Sequence, residues 1–295
     1  MTTPPPPVAP SPVRPFYWSV RRELWEHRSI FIAPLGAAIF VLFGFLISTR
    51  GLIRAMDHLV GQDPITQARM LAAPFGFAAM VVIVTTAIVG IAYSLGALYN
   101  ERRDRSILFW KSLPVSDLVT VLAKAFVPMV ILPVVAFAVI VGMQLIMMVV
   151  STMILLANGP NATLLWARLP LLQMWLITIY GLAAMSLWYA PIWAWNLLVS
   201  GWARRVTFLW AVLPPIGLCV VEFIAFQTTY LSDLLHDRLR GFDEAFSDKT
   251  PGGFLGLVHM DPVGFLTTPG LWGGLIVAAG FLAGAVWQRR YREPI

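Results

Sequence analysis

Long apolar blocks alternate along this chain with short charged stretches. Six blocks of 19 to 29 residues, over 30–48, 74–99, 122–150, 171–199, 206–226 and 269–287, contain only Lys124 and Glu222 among Asp, Glu, Lys and Arg. A helix of about 20 apolar residues crosses a hydrocarbon core about 30 Å thick, so each block predicts a spanning helix in an all-α integral membrane protein. The third and fourth blocks exceed the required length, which predicts tilt or a local break. Pro170 and Pro191 bracket the fourth. Pro214 and Pro215 remove two backbone donors inside the fifth and predict a kink there.

The ends divide the chain further. Residues 1–15 hold seven prolines and read as a solvated tail. This tail does not read as a cleavable signal, because the first apolar block begins late and lacks a small-residue cleavage site. Residues 16–28 read as a short amphipathic helix on the membrane surface, with an ordinary charged flank as the plainer alternative. In that helix Tyr17, Val20 and Leu24 share one face, Arg21, Arg22 and Glu23 lie elsewhere, and Trp18 and Trp25 sit at the headgroups. Residues 29–295 then form one six-helix domain.

Composition agrees: 58% of residues are apolar and 12% charged, against about 45–50% and about 25% in soluble domains. Disorder beyond the tail and a disulfide-built fold are both excluded, Cys219 being the one cysteine. Fourteen of the 21 basic residues fall on one side of a six-span topology, while the other side holds seven basic residues against eight acids. The positive-inside bias therefore predicts that both termini are cytoplasmic. The basic balance reports orientation and contact with anionic lipid, not nucleic acid. On the outer side, the loop over 227–268 is charged through 233–249. It then turns apolar over 252–266, long enough to re-enter the membrane but too short to cross it.

No phosphate-binding G-x-x-x-x-G-K-[ST] loop, H-E-x-x-H or G-x-S-x-G motif occurs. His27, His58, His236 and His259 lack ligand-like spacing, so no metal site is expected. Asn161-Ala162-Thr163 matches a glycosylation sequon but reads as part of a turn. Glu222 is the one intramembrane acid. Such a group either bonds a nearby hydroxyl or reaches the interface, or it lines a polar substrate path with Pro214 and Pro215. Gly270/Gly274 and Gly280/Gly284 predict close packing within the subunit. Trp188, Trp193, Trp195 and Trp202 read as an aromatic belt at the inner end of the fourth block.

The loop between the second and third blocks carries the sharpest signal. Five charges, Glu101, Arg102, Arg103, Asp104 and Arg105, leave the membrane. A short apolar helix over 106–113 follows, capped by Ser106 and stopped by Pro114. Ser116-Asp117 then caps the next helix. A surface helix tied at both ends to spanning helices suits the passing of a mechanical push into the membrane.

On these residues the chain resembles the permease subunits of ABC-2 type exporters, the type V transporter fold. Their loop reads E-R-E-x-G-T, an apolar stretch, P-V-S and a following Lys. Glu101-Arg102, Ser106, Pro114-Val115-Ser116 and Lys124 match in register, whereas Arg103 replaces an acid and Arg105 a glycine. The resemblance implies a non-catalytic subunit of a bacterial inner-membrane exporter for amphipathic or hydrophobic cargo. It would work as a dimer, identical or with a relative, on two separate subunits that bind ATP and Mg. Glu101 to Arg105 and Leu113, Pro114 and Val115 would couple to those ATPases. Spans one, two and five would line the path, and the outer re-entrant segment would gate it. The competing readings are an ion-coupled carrier resting on Glu222 and, behind it, a membrane-embedded enzyme.

Overall fold

A computed structural model describes residues 13–48, 61–106, 109, 115–158, 162–240 and 260–291. The described residues form helices and no β-strand. Helix α1 (Val13–Glu26) leads through two residues into α2 (Ser29–Ile47). Then follow α3 (Pro64–Gly96), α4 (Tyr99–Arg103) and α5 (Asp117–Phe126), with a π-helical turn over Val127–Ile131 joining α5 to α6 (Leu132–Asn158). Beyond the short α7 (Ala162–Arg168) run α8 (Leu171–Trp188), α9 (Ala190–Trp202) and α10 (Thr207–Phe226). The chain closes with α11 (Tyr230–Arg240), α12 (Pro262–Thr267) and α13 (Pro269–Tyr291). Six stretches, 29–47, 64–103, 117–157, 171–188, 207–226 and 269–291, are long and apolar enough to cross a membrane. The fold is that of a multi-pass membrane protein.

Each departure from the pattern-based boundaries has a local cause. The second span starts at Pro64, not 74, because Asp63 caps α3 by accepting from the Thr66 N–H at 3.0 Å and Pro64 fills the first helical position. Polar Thr66, Gln67 and Arg69 hide that first turn from a hydropathy reading. The third span starts at Asp117, five residues early, where Ser116 Oγ accepts from the Val119 N–H at 3.3 Å. Its π-turn holds Pro128 and is followed at once by Pro133, so two missing N–H groups loosen the ladder over one short stretch. The fourth block divides at Tyr189, since Pro191 denies the second half a donor. The fifth remains a single helix through Pro214 and Pro215. The expected surface helix over 106–113 lies outside the described residues apart from Ser106 and Phe109, as does 252–259 of the outer segment.

The helices pack unevenly. α9 runs along α13, α2 lies against α3 and α6, and α1 crosses α5. One apolar cluster joins Phe75, Ala78 and Val82 of α3 to Ile140, Met143 and Met147 of α6. A smaller one gathers Ile30, Tyr93, Val127 and Leu197. Gln144 ties the first cluster together, donating to Phe75 O at 3.1 Å and accepting from Trp175 Nε1 at 2.7 Å. By contrast α10 buries only Ala211. α2 leaves Ile32, Ile39, Phe40 and Phe43 more than 60% exposed, an apolar face that water would disfavour and lipid accepts.

Candidate functional site: an ion cluster joining five helices

The residue pattern of α1 puts Glu23 off its apolar face. The structure corrects this: Glu23 follows Val20 on the buried stripe and is 1% exposed. It is held there by opposite charge. Lys124 Nζ, on the last turn of α5 and equally buried, lies 2.8 Å from Glu23 Oε1 and 3.0 Å from Glu101 Oε1. Arg22 Nη2 bridges the same two carboxylates at 2.7 and 2.9 Å. Tyr93 Oη of α3 donates to Glu23 Oε2 at 2.8 Å. From the last turn of α13, Arg289 donates through Nη1 to Glu101 Oε2 and through Nε to Asp117 Oδ1 at 3.1 Å. Three cations thus meet three carboxylates.

Taking such charges out of water costs several kcal/mol per ion unless partners replace the solvent. Here they do, and the titration of α1 reports it. Burial pushes the Glu23 carboxyl up, but Lys124 and Arg22 outweigh it and hold the group down to about 2. Burial likewise works against the Arg22 guanidinium, and Glu23 and Glu101 more than restore it, leaving it above its ordinary value. Glu26, paired with Arg22 at 3.6 Å, moves upward through burial.

The charged loop divides by burial. Glu101 and Arg102 turn inward, Glu101 into the cluster and Arg102 Nη1 onto Gly201 O at 2.7 Å and Ala203 O at 3.4 Å, where α9 ends. A cation suits these carbonyls, which have no partner within the helix. Ser200 Oγ accepts the N–H groups of Leu98 and Tyr99 at 2.8 and 2.9 Å, so α9 also closes the break between α3 and α4. Arg103 and Asp104 pair with each other in the open at 2.9 Å, a contact of little energetic weight. Arg105 adopts φ +55°, the left-handed region that favours glycine. Val115 is half-buried, and Leu113 and Pro114 lie outside the described residues.

Glu222 sits elsewhere, accepting from Thr228 Oγ1 at 2.9 Å and the Leu231 N–H at 2.8 Å, where it caps α11. Pro214 and Pro215 are half-buried about two turns before Glu222 along α10. Arg238 of α11 lies over the Trp188 ring, 4.4 Å from its centroid, and donates to Trp188 O at 3.1 Å and Gly270 O at 2.7 Å. Gly274 leaves room for that guanidinium, which a Cβ would overlap. Gly270/Gly274 therefore receives a side chain rather than a helix, while Gly284 meets Leu198 and Gly280 nothing close.

The four tryptophans also need correcting. They do not gather at one end. Trp188 meets Arg238 and Phe265, Trp193 lies against Gly90, Trp195 Nε1 donates to Ala211 O at 2.9 Å, and Trp202 meets Trp210 with the rings tilted by 54°. Fourteen residues of helix rise about 21 Å, too far for one belt.

Glu23, Glu26 and His27 bring ligand atoms together within one turn, a grouping that histidine spacing alone does not reveal. Both Glu23 oxygens are already taken by Lys124, Arg22 and Tyr93, so the set offers a cation nothing that Lys124 does not hold. Compared with protein-family models, with curated proteins and with solved structures, the chain matches none.

Proposed function

We propose that this chain is the permease subunit of an ABC-2 type exporter in a bacterial inner membrane. Both termini are cytoplasmic, and two copies, or one copy and a relative, sit on two separate subunits that bind ATP and Mg. The observation that carries this reading is the buried ion cluster at the root of the 101–115 loop. Glu101 and Arg102 begin the stretch the ATPase pushes, and each is anchored to other helices: Glu101 to α1, α5 and α13, Arg102 to the end of α9. A displacement of the loop is therefore shared by four helices at once instead of being absorbed by a turn. The sparsely buried face of α10 supports a second permease there, with an apolar path for amphipathic cargo between the two.

Coupling is tested at the loop tip. Burying Leu113 and Val115 against the ATPase is worth at most about 1.5–3 kcal/mol each, and association costs reduce that. Placing Asp at both positions strands two charges at the contact. Leu113→Asp with Val115→Asp should give an inserted, dimerising chain that neither co-purifies with the ATPase nor transports, whereas Glu222→Gln should still co-purify. Full transport by the doubly charged variant would refute the reading.

A further inference from the structure

The outward face of α1 carries a feature that the ion cluster does not use. Arg21 lies between two indoles two turns apart, 5.0 Å from the Trp18 centroid and 4.7 Å from that of Trp25. The acids of α1 turn the other way: Glu23 faces Lys124 and Arg22, and Glu26 faces Arg22. Among the described residues Arg21 has no carboxylate partner, and the same holds for Arg28 immediately before α2. Trp18 and Trp25 are 57% and 68% exposed. Immediately beyond them α2 presents Ile32 and Leu35 to its surroundings, so the ladder lies level with the start of a lipid-facing helix.

We propose that Trp18, Arg21 and Trp25 form a headgroup site for an anionic phospholipid. Arg21 Cζ lies over both rings, and a guanidinium carries its N–H donors in its own plane as a rigid fork. That fork matches two oxygens of a phosphodiester. Indoles partition to the headgroup level, with the ring in the acyl boundary and the N–H in water. A zwitterionic lipid offers the same phosphate but brings an ammonium close to Arg21 and Arg28, whereas an anionic one does not. Charge thus selects the lipid class. The inference rests on the multi-pass fold and is independent of the exporter reading.

The test uses the full chain in detergent, titrated with phosphatidylglycerol or with phosphatidylcholine of the same acyl chains, with bound lipid counted by native mass spectrometry. Phosphatidylglycerol should bind first and more tightly, and Arg21→Gln should weaken it about fivefold, the worth of one interfacial arginine. Phosphatidylcholine binding should change little, and inorganic phosphate should not compete. Arg21→Lys, which keeps the charge without the fork, should fall between. Arg69→Gln and Arg168→Gln, exposed at α3 and α7, should behave as the unaltered chain. A photoreactive phosphatidylglycerol added to the unaltered chain should label the 18–25 peptide, a readout that does not depend on how any variant folds. Unchanged phosphatidylglycerol binding by Arg21→Gln, or labelling confined to other peptides, overturns the site. Loss of ATPase co-purification with lipid binding intact would instead assign the ladder to a protein contact and also overturn it.

Discussion

Lys124→Met is the sharpest perturbation of the ion cluster. It keeps the length of the side chain and removes one of the two cations held within 3.0 Å of both Glu23 and Glu101. The cluster passes from balance to a net charge of −1, with Arg22 alone still bridging the two acids. Removing one partner of a buried pair costs about 3–5 kcal/mol. The surviving Arg22 bridge places this site toward about 3 kcal/mol. A second change, Glu23→Gln, removes the excess charge. The double variant should lose only net hydrogen bonds, about 1 kcal/mol each, and so be more stable than Lys124→Met alone. Reversible unfolding in mixed micelles, titrated with dodecyl sulfate, reads all the stabilities on one scale. A Lys124→Met protein within about 1 kcal/mol of the unaltered chain, or additive effects in the double variant, would mean that the charges do not act as one unit.

Acid should reveal the same balance. Because Glu23 has a folded value of about 2 against an ordinary 4.5, the stability it contributes is complete above 4.5 and is lost as pH falls through about 2. The unfolding midpoint should drop across that window, and Glu23→Gln should flatten the drop. Arg105→Gly should stabilise by about 0.5–1 kcal/mol, since φ +55° costs a residue with a Cβ more than glycine's lost entropy; a less stable variant in the same titration would refute this. Ser200→Ala should cost about 1–3 kcal/mol by orphaning a buried and a part-buried backbone donor, with faster amide exchange at Leu98 and Tyr99 as the local readout.

Much of the architecture is legible in order along the chain, because its causes are local. An apolar run long enough to cross the bilayer satisfies its own backbone hydrogen bonds as a helix and needs no partner to be recognised. The Ser116 cap and the breaks at Pro191 and around Pro128 are equally local, each depending on a single side chain or a missing N–H. Span edges were misplaced where polar residues extend a helix past its apolar block, as at Pro64 and Asp117.

The cluster was legible only in part. Glu101 and Arg102 stood out because they sit in a motif, whereas Glu23 looked like one more charge on an interfacial helix. Its role depends on Lys124, 101 residues away, just as the role of Glu101 depends on Arg289, 188 residues away. No periodicity links such positions. A buried charge is stable only where opposite charge arrives in three dimensions to replace the water it has lost, and that arrival is decided by how α1, α5 and α13 pack.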